Sequence, residues 1–399
     1  MTKRLTVAAA ALYVLSFALF LFRIGVTSGY MYDEGYYVPA ASAMLKGNVD
    51  TAPQHPPFGK IMIAGGIKLF GNRPLGWRFA SAVCGSVTLV AIFLWTYLLL
   101  GDFKLALMAA TLTLFNNFLY VMARVAMLDV LYFCLVMLGV LAFTASFMWK
   151  APIVTRRILL GTAGMLFGAA TACKWNGLVF LGCVVLICGY LFFYARDKLE
   201  ELGLPVIVLS LLILPALAYY LAFVAMGMAT HSSVSFQAFV SANRFIWHWH
   251  RLAPGNPALN VRWYQWFFRA SPERGLSYLM GNFVVVWTGV IALLLCFWRL
   301  WKNRAGSIAE LMVIVLYAAN ILQWLIIPQK STCYYYYYPS AMLLGVAIAI
   351  ALARSRVRAI KGIRISVVLV AASIVFFLYC YPRMADLQAP YDCAFGCWV

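Results

Sequence analysis

Residues 5–22 read LTVAAAALYVLSFALFLF, and Tyr32-Asp33-Glu34-Gly35 follows ten residues later. The first stretch is long and apolar enough to cross about 30 Å of hydrocarbon as one helix. The acidic pair stands out because the 399 residues contain only 12 Asp and Glu. Acids near hydrocarbon are costly unless they face water, a cation or a substrate, so the pair marks a candidate functional site. The alternative is that Asp33 caps a helix in a hydrated loop.

The composition is typical of an all-α polytopic membrane protein. Hydrophobic residues make up 65% of the chain and charged residues 11%, whereas soluble domains have roughly 50% and 25%. We expect residues 1–399 to form one integral membrane domain. Apolar windows long enough to span a bilayer predict about eleven transmembrane helices. These windows begin near Leu5, Phe79, Leu105, Ala126, Ile158, Leu178, Leu204, Leu279, Leu311, Tyr335 and Ile365.

The distribution of Lys and Arg among the loops predicts the orientation in the membrane. With the N-terminus in the cytoplasm, sixteen Lys and Arg lie on the inner side, and only four lie in the short outer loops and the tail. We therefore expect the N-terminus inside and the C-terminus outside. The net charge of +19 is spread over these loops. This pattern favours membrane lipids with anionic head groups as partners and argues against nucleic acid.

Two predicted outer segments, residues 23–78 and 227–278, are longer than connecting loops usually are, which favours a functional role. The second is rich in aromatic residues, as expected of an interfacial belt or an amphipathic helix. The five tyrosines of residues 334–338 open a span, and we expect them to belong to such a belt. Cys393 and Cys397 lie together in the outer tail, where an oxidising compartment would allow a disulfide.

The predicted orientation places most of the notable polar side chains on the outer face. Each one alone has an ordinary explanation, such as a long side chain reaching for the interface. Together they predict one water-facing cavity with carboxylates opposite cations. The residues are Asp33, Glu34, His55, Lys60, Arg124, Asp129, Lys174, Trp175, Asn176, His248, His250, Gln329 and Lys330.

This set of side chains suits transfer of a sugar from a lipid-phosphate donor. Arg and Lys bind phosphate oxygens through charge-assisted hydrogen bonds. The transition state of sugar transfer resembles an oxocarbenium ion, and the leaving phosphate is already a stable anion. One carboxylate acting as a base on the acceptor hydroxyl would therefore suffice for an inverting displacement.

Several motifs occur in a characteristic order along nearly the whole chain. They are Asp33-Glu34, His55-Pro56-Pro57-Phe58-Gly59-Lys60, Arg124 with Met127-Leu128-Asp129, Lys174-Trp175-Asn176-Gly177, Trp247-His248-Trp249-His250, Trp263-Tyr264-Gln265-Trp266, Gly281-Asn282 and Pro328-Gln329-Lys330-Ser331. In these motifs the chain resembles the protein O-mannosyltransferases. These are membrane enzymes of the GT-C glycosyltransferase superfamily that use dolichyl- or polyprenyl-phosphate mannose.

The resemblance implies a GT-C fold and transfer of mannose from a polyprenyl-phosphate donor to Ser or Thr hydroxyls of exported proteins. It implies that Asp33 is the catalytic base and that Glu34 helps to shape the acceptor site. It further implies that Arg124, Lys174 and Lys330 bind the donor phosphate, and that His55, Lys60, Asp129, Trp175, Asn176, His248 and Gln329 contact substrates. We expect no metal ion or other cofactor, because a site rich in Arg and Lys has little need of one.

The chain departs from the family pattern in its second long outer segment. Eukaryotic members carry a β-trefoil insertion there, whereas residues 227–278 leave no room for one. The chain therefore resembles a compact bacterial-type member, located in the inner (plasma) membrane with its active site on the outer face. It also reads Asn256-Pro257-Ala258 where a His-Pro-Tyr element is common, which implies a changed acceptor preference.

Alternatives remain at several residues and for the function. Glu34 could take part directly in catalysis, or it could position Asp33 or a loop amide. Of His248 and His250, one is expected to face the interface and not the site. Arg124 could form an ion pair with Asp129 in place of binding phosphate, although a spacing of five residues is slightly off one helical face. His55 precedes two prolines, so it could serve the shape of a rigid turn. A GT-C transferase that glycosylates a lipid or a cell-envelope glycan, such as an aminoarabinose or arabinose transferase, is the second candidate. A secondary transporter fits less well because no inverted repeats are evident.

Overall fold

The structure is a computed structural model that describes residues 3–252, 263–267, 279–303, 307–326, 332–355, 359–360 and 363–385. Two residue pairs, Ala359–Ile360 (β1) and Ile363–Arg364 (β2), form a short antiparallel hairpin. The α-helices are α1 (Lys3–Leu21), α2 (Glu34–Leu45), α3 (Phe58–Phe70), α4 (Pro74–Leu100), α5 (Phe103–Leu114), α6 (Asn117–Met122), α7 (Leu128–Met148), α8 (Ile153–Cys173), α9 (Asn176–Tyr194), α10 (Arg196–Glu200), α11 (Leu204–Val208), α12 (Leu214–Ala229), α13 (Phe236–Leu252), α14 (Phe283–Lys302), α15 (Ile308–Ile326), α16 (Tyr338–Ala353) and α17 (Ile365–Met384).

Each predicted apolar window corresponds to helix, so the all-α membrane fold is confirmed. Nine helices within the described residues are long and apolar enough to cross a membrane. One of them, Leu204–Ala229, joins α11 to α12 through a π-helical turn at Leu209–Ile213. Two further windows correspond to the shorter apolar helices Phe103–Leu114 and Ile308–Trp324. The count of eleven spans therefore remains a prediction.

Helices α7 and α16 form the centre of the bundle. The span windows of Leu128–Met148 and Tyr334–Ala353 are each 83% buried, whereas that of Ile365–Pro382 is 17% buried. Helix α7 packs against α4 and α8, and α16 packs against α5, α14 and α15. A Cβ at Gly345 would lie 2.7 Å from the Ala109 carbonyl oxygen, so this glycine lets α16 approach α5 closely, as small residues do between membrane helices.

The expectation that the five tyrosines form an interfacial belt is wrong. Tyr334, Tyr335, Tyr337 and Tyr338 are at most 4% exposed. They lie in the turn Tyr334–Tyr337 and the start of α16, and α16 is enclosed by other helices, so their rings face protein and not lipid. The run is therefore part of the core at the end of the bundle that carries the predicted site.

The two long segments that are predicted to lie outside contain helices of their own. Residues 23–78 include α2, α3 and the start of α4. The second segment includes the amphipathic helix α13, whose ring of Phe239 packs against Tyr219 and whose Trp249 is half exposed. The bounds of both segments remain predictions. Several predicted features lie outside the described residues, namely Asn256-Pro257-Ala258, Gln329, Lys330, Cys393 and Cys397.

Candidate active site

The predicted site residues meet at one end of the helical bundle because they lie at helix ends. Asp33 immediately precedes α2, and Asp129 is in the first turn of α7. Lys174 follows the last residue of α8, and Asn176 is the first residue of α9. Tyr335 lies in the turn that leads into α16. Short connections between antiparallel helices thus gather side chains that are far apart in the sequence.

Asp33 is only partly buried, and its carboxylate is held by two tyrosines. Its Oδ2 accepts hydrogen bonds from the hydroxyl of Tyr37 at 3.2 Å and from that of Tyr335 at 3.0 Å. Asp33 occupies the N-cap position of α2, but its side chain makes no capping hydrogen bond. The structure therefore does not favour the alternative that this carboxylate serves as a helix cap.

Glu34, in contrast, is fully buried and its two oxygens are used within the protein. Oε1 accepts from the Ala126 amide and from Nε of Arg78, each at 2.8 Å. Oε2 accepts from the Met31 amide at 2.9 Å and from Nη2 of Arg78 at 2.8 Å. These bonds fix the turn that precedes the acidic pair and tie it to the segment before α7, so Glu34 positions Asp33.

Arg78, which the sequence analysis did not single out, ties the first outer segment to α4. Besides its two bonds to Glu34, the guanidinium donates to the carbonyl oxygens of Ile24, Thr27 and Gly29 at 2.8–3.0 Å. The segment it holds includes Tyr32, whose φ of 51° is uncommon for a non-glycine residue. An Arg just inside the first turns of an apolar span was the available signal, because such a charge needs a buried acid.

Asp129 pairs with Lys174, so the alternative of an ion pair with Arg124 is wrong. Nζ of Lys174 lies 2.8 and 2.9 Å from the two Asp129 oxygens, and the two residues are 5% and 1% exposed. The ammonium also lies 4.6 Å from the ring centroid of Tyr336. Arg124 lies in the connection before α7 and donates to carbonyls at the end of α1, so it does not share a helical face with Asp129.

Arg124 holds the end of the first span. Its Nη1 donates to the Phe20 and Phe22 carbonyl oxygens, and its Nη2 donates to that of Arg23 at 3.1 Å. The carbonyls at a helix C-terminus lack partners within the helix and carry the negative end of its dipole. Together with Arg78, Arg124 also lines a small cleft near Thr27.

A cluster of rings adjoins Asp33 through Tyr37. The ring of His55 lies 5.9 Å from that of Tyr37 and 5.3 Å from that of His250, and the His250 ring lies 6.0 Å from that of Trp175. Burial and the nearby Lys174 ammonium lower the pKa of both imidazoles. Both histidines are therefore neutral near pH 7, and each can donate one hydrogen bond and accept another.

Of the two histidines in α13, His250 faces this cluster, whereas the predicted His248 is exposed on the other side. Residues two apart on a helix point in different directions, so only one of the two was expected to face the site. The sequence pattern gave no means of choosing between them. Packing of α13 on α12, through Tyr219 and Phe239, determines the choice.

Three further predicted residues use their polar atoms for local structure. The Lys60 ammonium donates to the Asp50 carboxylate and to the Ala52 and His55 carbonyls, and burial lowers its pKa against the opposing effect of Asp50. Trp175 donates to the Tyr219 hydroxyl at 2.9 Å. The Asn176 amide donates to Gln323 at 2.8 Å. The Lys60 ammonium thus organises the loop that carries His55.

The helical arrangement is that of a polytopic membrane protein with the GT-C fold. The chain is similar to the S. cerevisiae protein O-mannosyltransferase Pmt1-Pmt2 complex bound to the sugar donor, with a TM-score of 0.84 and 13% identity over 98% of this chain and 91% of that one. It is also similar to ArnT from Cupriavidus metallidurans bound to undecaprenyl phosphate, with a TM-score of 0.58 and 18% identity over 87% and 60% of the two chains. These likenesses establish the GT-C fold.

Sequence comparison finds similarity to protein mannosyltransferases over part of the chain. Residues 54–223 match the family described as Dolichyl-phosphate-mannose-protein mannosyltransferase. Polyprenol-phosphate-mannose--protein mannosyltransferases match at 32% identity in Mycolicibacterium smegmatis, over 38% of this chain and 34% of the relative, and at 26% in Corynebacterium glutamicum, over 47% and 44%. The matched regions thus span between a third and a half of these relatives. Residues 54–223 thus resemble the protein mannosyltransferases, as the motifs predict, and this resemblance is confirmed.

Proposed function

We propose that this protein is an inverting glycosyltransferase that moves mannose from a polyprenyl-phosphate donor to Ser or Thr hydroxyls of exported proteins. The main observation is the contrast between the two adjacent acids. Glu34 is used entirely within the protein, whereas Asp33 is partly exposed and, among the described residues, accepts hydrogen bonds through Oδ2 alone. The relatives' names support mannose as the sugar and protein as the acceptor.

In this proposal Asp33 accepts the proton of the acceptor hydroxyl as that oxygen attacks the anomeric carbon of the sugar. The new carbon–oxygen bond forms opposite the bond to phosphate, which breaks with its electron pair, so the configuration inverts. The leaving polyprenyl phosphate keeps its negative charge and needs no proton. General base catalysis of this kind typically contributes 10²- to 10⁴-fold to the rate.

Cations near Asp33 would stabilise the charge that develops on the leaving phosphate. Lys174 is the best placed, because its ammonium lies 5.7 Å from the ring of Tyr335, which bonds to Asp33. Arg124 faces the small cleft beside Arg78. Lys330, outside the described residues, is proposed as a third phosphate ligand. A donor phosphate reaching Lys174 would compete with Asp129 for its ammonium.

The test of this function is transfer of sugar from radiolabelled polyprenyl-phosphate mannose by the purified protein. We expect label on Ser- or Thr-containing peptides of exported proteins. Lys174→Ala and Arg124→Ala should weaken binding of the donor and of polyprenyl phosphate, because each removes a cation from a site of low dielectric constant. Lys198→Ala, on the short helix α10, is the matched control. Unchanged donor affinity in both variants would contradict the phosphate roles.

The second candidate, transfer to a lipid or an envelope glycan, shares the same fold. The same assay separates the two proposals when lipids and glycans are supplied beside the peptides. Label on a lipid or a glycan alone would exclude the protein acceptor and would keep the GT-C chemistry. Label on peptides alone would exclude the second candidate.

The proposed orientation, in the bacterial inner membrane with the N-terminus inside, predicts which residues face the outside. Single cysteines at Ser232 and Gln388, in a background without native cysteines, should react with a membrane-impermeant maleimide added to intact cells. A cysteine at Ser355 should react only after the cells are opened. The physical reason is the charge bias, since Lys and Arg near spans remain in the cytoplasm. Labelling of Ser355 alone would invert the topology.

A further inference from the structure

We propose that Tyr335 is a positioning residue for Asp33. In this inference its hydroxyl, together with that of Tyr37, anchors one carboxylate oxygen so that the other oxygen faces the acceptor hydroxyl. It rests on the proposed function of Asp33 as the base. Both phenols donate to the same atom, Oδ2, at 3.0 and 3.2 Å. Within the described ranges Oδ1 receives no hydrogen bond from a side chain or an amide.

An aspartate needs such an anchor because its carboxylate has little orientation of its own. The terminal torsion of Asp is broad and roughly two-fold, so the two oxygens exchange positions easily. A base must present one lone pair within about 2.6–3.2 Å of the proton that it removes. Two donors on Oδ2 therefore select which oxygen performs the reaction.

Tyr335 is itself held rigidly. It is 4% exposed, and its ring meets those of Tyr32 and Tyr336 edge-on at 5.6 and 4.7 Å. The Tyr336 ring stacks flat on that of Trp324 at 4.6 Å, with an angle of 1° between the planes. The Lys174 ammonium lies against the same pair of tyrosine rings. Tyr335 thus lies between Asp33, to which it bonds, and the Lys174 ammonium.

The run of five tyrosines provides matched controls, because the hydroxyls of Tyr334 and Tyr337 contact groups other than Asp33. The Tyr337 hydroxyl pairs with that of Tyr317 at 3.0 Å. The Tyr334 hydroxyl accepts from the Gly281 amide at 3.4 Å. Replacing either tyrosine by Phe removes one buried hydroxyl a residue or two away, without touching Asp33.

The test compares Tyr335→Phe with Tyr337→Phe in the transfer assay. Loss of a hydrogen bond to a charged group, together with a misdirected base, should lower kcat roughly 10- to 100-fold in Tyr335→Phe. The donor KM and the affinity for polyprenyl phosphate should stay within about twofold, because the ring remains beside Lys174. Tyr337→Phe should keep kcat within about twofold. Tyr37→Phe is a second test of the same anchor and should also lower kcat.

A combination with Asp33→Asn shows whether Tyr335 acts through Asp33. In the Asp33→Asn background, adding Tyr335→Phe should lower kcat by less than about threefold, since the effects of coupled residues are not additive. An equal loss of kcat in Tyr335→Phe and Tyr337→Phe, a loss confined to donor binding, or full additivity with Asp33→Asn would each overturn the proposal. If Asp33→Asn alone keeps near-normal turnover, the proposed function of Asp33 fails instead.

Discussion

Asp33→Asn is expected to lower turnover at least about a hundredfold, because the amide keeps the size and hydrogen bonding of the side chain but cannot accept the proton. The Tyr37 and Tyr335 hydroxyls can still donate to the amide oxygen, so the local structure should persist. Donor binding should remain within about twofold, since the phosphate cations are unchanged. The measurement is kcat for mannose transfer to a peptide, with donor affinity measured separately.

Asp197→Asn is a suitable control for this experiment. Asp197 is exposed on α10, among the residues predicted to face the cytoplasm. The substitution makes the same chemical change far from the site, and turnover should be that of the unmodified protein. Near-normal turnover in Asp33→Asn would eliminate Asp33 as the base, whereas loss of donor binding in the same variant would indicate a structural role.

Glu34→Gln is expected to have the largest effect on stability. The substitution leaves the Arg78 guanidinium, which is 1% exposed, without its counter-charge. Breaking a buried ion pair by removing one partner typically costs about 3–5 kcal/mol of folding free energy. We expect a lower midpoint of thermal unfolding in detergent and a lower yield of folded protein. Turnover should fall as well, because a shift of the backbone at residue 34 also moves the adjacent Asp33 carboxylate.

Glu201→Gln is the matched control, since it makes the same change in an exposed ion pair. Glu201 pairs with Arg156, and its side chain is 58% exposed. Exposed pairs contribute about 0–1 kcal/mol, so the unfolding midpoint should hardly move. Equal effects of the two substitutions would show that the Glu34 and Arg78 pair does not organise the first outer segment. A stable but inactive Glu34→Gln protein would indicate a direct catalytic role for Glu34.

The helical spans were predictable from sequence because hydrocarbon imposes a length and a composition on any segment that crosses it. Each apolar window corresponds to helix for this reason, even where α5 is only 12 residues long. Hydropathy does not report which helices are central, however. The tyrosines of residues 334–338 resemble an interfacial belt in sequence, and only the enclosure of α16 by its neighbours shows that they are buried.

The acidic pair and Lys174 were predictable because charges are so rare in this chain that each one is conspicuous. Their partners were not predictable, since a partner depends on packing across helices. Arg78 lies 44 residues from Glu34 in sequence, and Lys174 lies 45 residues from Asp129. Proximity in sequence suggested Arg124 as the ion-pair partner of Asp129. It did not show whether His248 or His250 faces the site. Arg124 bonds to the end of α1 and not to Asp129, and the packing of α13 on α12 turns His250 toward the site.

The hydrogen bond between Tyr335 and Asp33 joins residues 302 positions apart, which has a consequence for biosynthesis. Asp33 leaves the ribosome long before Tyr335 is made. At about 5–20 residues per second, the delay is roughly 15–60 s. During that time α4, α5 and α7 lack one of their packing partners, because α16 contacts all three of them. The hydrogen bond that orients the Asp33 carboxylate can therefore form only after α16 has been inserted.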